Sequence, residues 1–515
     1  MRARDAGQDD RPGQAGGLVL PSHEEPFVRG VSTLIGGPVG RYARVGEKRW
    51  FWTVARVLVV LTVLTCTLGW AQKAQCRDVR NWSHNGGTYQ YTRLCYSDII
   101  ALYGSEQLAD GQTPYVDHAV EYPVLIGATM ELARGVSNLA SDSGPGKSHI
   151  QATSLFYDAT IVILSFAAVA TVICTGLTAG RRRLWDAALV ALAPTLVLHL
   201  GTNWDMTAVA LASGALLAWA RRRPWLAGVL LGLATAAKLY PVLFLLPLLA
   251  LCIRTGQVRA WGRAVWGAVA GFVLVTLPVY LVSPSFADCP QGGAECNATK
   301  TGPSAFNVVT GHGHGTSLLT ALWPWHNGGS NGVMRFYQGN NRRGADWDTL
   351  WLLVEHLQVW SASKTGNLFA PKANPPHQWT VPSHLNLAWE GAALCLLAAI
   401  MLLAFVAPRR PRLPQLLFLC VVAFLLASKV DSPQYTLWLL PLWALARPRW
   451  REFLVWQAAE ILEVIVRYQY FIFLDKTNSG VGYAWLGLTV VLRDLILVWL
   501  AVLVVRDILH PERDP

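Results

Sequence analysis

The chain has 515 residues, 53% of them hydrophobic and only 15% charged, with a mean hydropathy of +0.32. Soluble domains carry roughly a quarter charged residues, so this balance excludes an ordinary globular domain and points to a bilayer. The net charge of +11 would suit nucleic acid only if the basic residues formed one folded patch, whereas they fall in short runs between apolar segments.

Residues 1–50 are rich in Gly, Pro, Asp and Arg and lack apolar periodicity. They are expected to form a disordered cytoplasmic tail without the apolar core of a cleavable signal. From there on, about a dozen segments approach the length needed to span hydrocarbon. They are Trp52–Trp70, Ala152–Leu177, Trp185–Leu200, Trp204–Ala220, Trp225–Ala237, Leu239–Ile253, Arg263–Val282, Asn386–Ala407, Leu413–Ser428, Tyr435–Ala446, Glu452–Phe473 and Ala484–Val505. Pro241 allows the two segments beside Lys238 to form either a hairpin or one kinked helix. The fold class expected is therefore an all-α integral membrane protein, a polytopic domain over residues 51–508 with a short tail at 509–515.

Arginine runs set the orientation, because cytoplasmic loops retain Lys and Arg. They occur at Arg181–Arg183, Arg221–Arg223, Arg254 with Arg259 and Arg263, Arg409–Arg412 and Arg447–Arg451. Counted through the spans, every run falls on the side of the N-terminal tail. Both termini are then cytoplasmic, and two large loops, 71–149 and 283–385, lie outside the cytoplasmic membrane. The first holds helical patterns at Ile99–Ala109 and Tyr122–Leu139, suited to the membrane face. The second is rich in Gly, Asn, His and Trp, with a helix expected over Asp346–Trp360.

Five cysteines lie in spans, where a thiol is a small apolar group. Cys76 with Cys95, and Cys289 with Cys296, fall in the external loops and suggest two disulfides. No Cys/His spacing resembles a zinc site.

Polar, chemically capable residues collect at the outer turns: Asn203-Trp204-Asp205, Lys238-Leu239-Tyr240-Pro241, Lys429 to Tyr435 with Gln434, Arg467-Tyr468-Gln469, and in the first loop Asp98 and Glu121-Tyr122-Pro123. Ionisable groups at membrane depth are costly and are functional candidates for that reason. Simpler roles stand beside these. Asn203, Asp205 and Asp98 can each cap a helix, and Lys238 and Lys429 can anchor at the interface by snorkelling. Arg493-Asp494, inside the last span, reads as a mutually satisfied pair facing the bundle.

Taken together, Cys95-Tyr96-Ser97-Asp98, Glu121-Tyr122-Pro123, Asn203-Trp204-Asp205, Lys238-Leu239-Tyr240-Pro241, Arg343-Gly344-Ala345-Asp346-Trp347 and Ser432-Pro433-Gln434-Tyr435 with Leu437-Trp438-Leu439 resemble the GT-C glycosyltransferases. The resemblance is closest to glycosyltransferase family 87, which includes polyprenol-phosphate-mannose-dependent α-(1,2)-mannosyltransferases. It implies a GT-C-like bundle that moves a sugar, mannose by analogy, from a polyprenyl-phosphate donor to a lipid or glycan hydroxyl. Transfer would occur with inversion at the outer face.

The family's first-loop Asp falls on Asp98, making it the expected general base, with Asp205 and Glu121 as alternatives. Lys238, Lys429, Arg343, His312 and His314 are the candidates for the donor phosphate. Tyr122, Asn203, Trp204, Tyr240, Gln434 and Tyr435 would contact sugar or acceptor. Many GT-C enzymes pair two acids in this loop. Here Ser97 precedes Asp98 and the next acid is Glu106. The reaction is therefore expected to need no metal or other cofactor. The partners expected are membrane lipid, the lipid-linked donor and the acceptor, with no nucleic acid. A transporter or flippase of lipid-linked sugars is the alternative from another class, although no internal repeat supports it.

Overall fold

The structure is a computed structural model that describes residues 53–140, 149–287, 299–312, 316–322, 329–363, 384–475 and 479–513. The expected tail at 1–50 lies outside the described residues, as do His314, Cys289 and Cys296.

Helix α1 (Val54–Ala74) leads into the first loop, which carries α2 (Asp98–Ser105) and α3 (Val124–Ala140). Then come α4 (His149–Ala179), α5 (Pro194–His199), α6 (Asp205–Ala220), α7 (Pro224–Thr235), α8 (Leu245–Arg254) and α9 (Val258–Val282). The second loop holds α10 (Arg335–Arg342) and α11 (Leu350–Ser363). The chain closes with α12 (Leu385–Val406), α13 (Leu413–Ala427), α14 (Thr436–Ala446), α15 (Trp450–Asp475) and α16 (Tyr483–Leu509).

Among the described residues five helices, α1, α4, α9, α12 and α16, are long and apolar enough to cross a membrane, against the dozen expected crossings. Local chemistry accounts for much of the difference. The segment Trp185–Leu200 is broken, because Ala193 is extended ahead of Pro194 and Pro194 opens α5. The chain also leaves helix between Thr235 and Tyr240, around Lys238, so 225–253 is interrupted rather than one smooth helix. Helix α15 is long enough but carries Arg451, Glu452, Glu460, Glu463 and Arg467.

The described residues are largely helical, in keeping with the all-α expectation, and one small element adds to it. Strands β1 (Ser285–Ala287), β2 (Lys300–Gly302) and β3 (Gly329–Asn331) form a small antiparallel sheet in the order β2-β1-β3 within the second loop. Asn331 locks it by donating to the carbonyls of Tyr280 and Ser283 at 3.0 and 3.1 Å.

Helices α7 and α9 approach backbone to backbone. Gly228 and Gly232 face α9, and Gly267 and Gly271 face α7; a Cβ on Gly228 would stand 2.0 Å from the Ala264 carbonyl oxygen. Both helices thus use the small-xxx-small spacing that lets helices pack in a bilayer, where apolar burial provides no drive.

The arginine turns meet at one end of the bundle. Arg254 donates to the carbonyls of Ala404 and Ala407 at the end of α12, both at 2.8 Å. Arg412 donates to Leu445 and Ala446 at the end of α14, at 2.8 and 2.7 Å. Arg447 pairs with Asp507 and with Glu452. The Arg254 and Arg412 guanidinium groups satisfy carbonyls that a helix C-terminus leaves without partners. Helix α6 runs 16 residues from Asp205 to the arginine turn that follows it, placing the two ends about 24 Å apart. At the other end lie the turns carrying Asp98, Asn203 and Lys238.

Candidate active site

Four separate segments bring Asp98, Tyr122, Asn203 and Lys238 together. A disulfide between Cys76 and Cys95 closes the start of the first loop. Just after it, Lys73 at the end of α1 donates to the Tyr96 carbonyl at 2.7 Å. Ser97 reaches the Gly201 carbonyl at 2.6 Å, and the Asp98 N–H reaches the Thr202 carbonyl at 2.8 Å. The first-loop turn is thereby fastened to the turn that precedes α6.

On this platform Asn203 Nδ2 donates to Asp98 Oδ2 at 2.9 Å and to Tyr122 Oη at 2.8 Å. The side chain of Tyr96 also hydrogen-bonds Asp98. Burial is the largest influence on the Asp98 carboxyl and raises its pKa, while the bonds from Tyr96 and Asn203 and the charges of Arg467 and Lys238 act to lower it. Asp98 is only half-buried and keeps a path to water.

Asp205 has a different environment. Its Oδ1 accepts from Trp438 Nε1 at 2.8 Å, and Lys238 Nζ lies 3.3 Å from Oδ2. It is 1% exposed. The indole of Trp438 is sandwiched between Tyr240, at 4.3 Å between ring centroids, and Tyr435, at 4.0 Å. The Lys238 ammonium stands 5.6 Å from the Tyr122 ring and 5.1 Å from that of Tyr435. Trp204 packs edge-on against Tyr122. Asp205, Trp438 and Lys238 therefore form a buried base on which the half-buried rings of Tyr122 and Tyr435 rest. Gln434 is buried in the turn beside Tyr435.

The remaining cations differ sharply in freedom. Lys429 Nζ donates to the carbonyls of Asn341 and Arg343 at 3.0 and 2.6 Å and to Asn386 Oδ1 at 2.5 Å. Its carbonyl accepts from the Asp346 N–H at 2.8 Å, and burial pulls its ammonium down to about 8. Lys429 thus ties down the second loop. Arg343 bonds Asp346 at 3.1 Å yet keeps 49% of its side chain exposed. It lies within electrostatic reach of Tyr435, Glu121 and Tyr122. Asp346 also accepts from the Trp347 N–H at 3.0 Å and feels the charge of Arg467.

Glu121 is exposed, and its N–H meets the buried Glu106 at 3.4 Å; Glu106 pairs with His118 at 3.1 Å. His312 is exposed, with Nδ1 3.2 Å from the Thr310 hydroxyl. Among the described residues no group of three or more His, Cys, Asp or Glu is arranged to hold a metal ion. Arg493 pairs with Asp494 and also reaches Asp431 at 2.9 Å and the Asp348 carbonyl at 2.8 Å, anchoring α16 to both outer turns.

Three contributors carried little sequence signal. Trp438 sits in an apolar run, Lys73 resembles any lysine at a helix end, and Arg467, although placed near an outer turn, gave no sign of its pairing with Asp348. No curated protein matches the chain. The stretch that supplies Asn203, Asp205, Lys238 and Tyr240 lies within residues 151–289, and those residues match the sequence model of Glycosyltransferase family 87.

Proposed function

We propose that the protein is a membrane glycosyltransferase that moves a sugar, mannose in the first instance, from a polyprenyl-phosphate donor to a hydroxyl of a lipid or glycan acceptor. The observation that carries this reading is the convergence of Asp98, Tyr122, Asn203, Lys238 and Asp205 from distant segments, three of them inside the family-matched stretch. Helices long and apolar enough to cross a membrane suit a protein whose donor is itself lipid-linked.

In this reading Asp98 is the general base. It takes the proton of the acceptor hydroxyl as the new bond forms from that oxygen to the anomeric carbon. The bond from this carbon to the phosphate oxygen breaks on the opposite face, and its electron pair leaves with the phosphate. The result is inversion, with no metal assigned. Asp98 suits the role better than its alternatives. Both Asp205 oxygens are engaged and buried, and Glu121 lies on the exposed rim.

The leaving phosphate needs charge and donors that strengthen as its negative charge grows. Arg343 fits best among the basic residues, because it is half-exposed and its partner Asp346 keeps other partners if Arg343 turns away. Lys238 would act at second hand, as a cation already paired with Asp205. Tyr122 and Tyr435 offer ring faces and hydroxyls for the sugar, while Tyr240 is buried against Trp438 and supports them from behind. The reading places the site on the extracytoplasmic side, following the arginine runs.

The test is incubation of membranes with labelled polyprenyl-phosphate mannose, using the wild type and the Asp98→Asn variant. Labelled product from the wild type and none from the variant is expected. No product from the wild type would overturn the proposal.

A further inference from the structure

Asn203 has its amide oxygen and both of its amide protons engaged. Its Oδ1 accepts from the Trp204 N–H at 2.6 Å, which fixes which end of the amide is oxygen. Its Nδ2 then has two protons and two acceptors, Asp98 Oδ2 at 2.9 Å and Tyr122 Oη at 2.8 Å. The residue is 3% exposed, so it offers no surface to a sugar.

We propose that Asn203 is a positioning residue, whose amide holds one oxygen of Asp98 and thereby leaves the other to receive the acceptor's proton, while turning the Tyr122 hydroxyl into a donor toward the pocket. This deepens the glycosyltransferase reading and rests on it. Because Tyr122 Oη accepts from Asn203, its own hydrogen is directed elsewhere. One amide therefore orients a proton acceptor and a proton donor in a single arrangement. The reaction needs both: the carboxylate gains a proton on the attacking side while a hydroxyl donates to the sugar or to the oxygen that gains charge. A bond donated to the ionised carboxylate also keeps Asp98 a base within a site whose burial works against its charge.

The other groups facing Asp98 are Lys73 from α1, the neighbouring Tyr96, Tyr122, Lys238, and Arg467 with Tyr468 from α15. Tyr91 packs behind Tyr96. All of them are retained in the Asn203 variants, so a change in Asp98 can be assigned to the lost amide.

The experiment uses the purified full chain in detergent. Asp98 is labelled with a water-soluble carbodiimide, which reacts with protonated carboxyls, across a pH series, and the label is read by mass spectrometry. Asn203→Ala should move the labelling midpoint of Asp98 upward by about one pH unit, since a donor to the ionised form is gone. In transfer assays the same variant should lose kcat more than it raises the donor KM, with the acid limb of kcat/KM displaced upward in step. Tyr122→Phe should lower the rate without moving that limb. If Asn203→Ala does not fold, Asn203→Ser, which retains one donor, should show a smaller shift in the same direction. An unmoved labelling midpoint in a folded variant would overturn the proposal, as would a loss confined to the donor KM. Absence of transfer by the wild type would instead remove the glycosyltransferase reading, and the labelling result would still report on the Asn203–Asp98 bond.

Discussion

Lys238 Nζ lies 3.2 Å from Asp205 Oδ1, and the Asp205 side chain has no exposure to water. The two charges form the floor of the candidate site rather than its working surface. Removing one partner leaves the other buried and uncompensated, typically a loss of about 3–5 kcal/mol. Lys238→Ala is therefore expected to destabilise the protein as well as impair it. Lys238→Met combined with Asp205→Asn should be less damaging than the sum of the single changes, which unfolding of the four proteins in detergent would measure.

The pH dependence of Asp98 should act in opposite directions on activity and stability. Its pKa is raised in the folded chain, so the fold binds a proton more tightly than the unfolded chain does. Stability from this group is present below the unfolded carboxyl value and falls as pH rises toward the folded one. A general base must be ionised, so transfer should rise over that same interval. Asp98→Asn should abolish the activity and also remove this contribution to the pH dependence of stability. A variant that keeps most of its activity would take the base role from Asp98.

Arg343 and Lys429 should separate cleanly. A hydrogen bond between charged groups contributes about 1.5–3 kcal/mol, so Arg343→Ala should weaken donor use by roughly ten- to a hundredfold with little change in acceptor KM. Lys429→Ala releases three oxygens that hold the second loop. Its effect should appear as faster limited proteolysis between α10 and α12. Equal kinetic losses for the two variants would contradict this division.

The contact between α7 and α9 tolerates no side chain. Gly232→Leu should prevent close approach, since a Cβ there already meets the Ala268 carbonyl oxygen at 2.1 Å. Gly262→Leu, on α9 with open space around it, should be tolerated. Thermal unfolding of the two purified variants distinguishes them.

Much of the candidate site is legible in the sequence because its residues break the apolar pattern. Asp98, Asn203, Asp205 and Lys238 interrupt or open helices, and an ionisable group in such a setting stands out. The paired helices in the first loop were legible from period alone, near Ile99–Ala109 and Tyr122–Leu139. Partnership was not legible. Nothing in the spacing of Asp205, Lys238 and Trp438 says that the three share one ion pair and indole, because the distance in sequence between them spans several helices. Lys429 shows the converse: a lysine in a polar turn looked fit for phosphate, and its ammonium is consumed by loop carbonyls. The break at Ala193-Pro194 lies inside the apolar run Trp185–Leu200, whose hydropathy alone does not reveal it. The three short strands had no alternation long enough to reveal them.

Arg254 and Arg412 also bear on how the orientation of this chain should be studied. Neutralising such residues is the usual way to ask whether positive charge decides insertion. Here each guanidinium also latches two helices together, so a neutral replacement loosens the assembly even if the chain enters the bilayer the same way round. A variant with altered accessibility would confound handedness with slack. Charge reversal at Arg221 and Arg222, which are exposed to solvent, is the cleaner way to probe insertion.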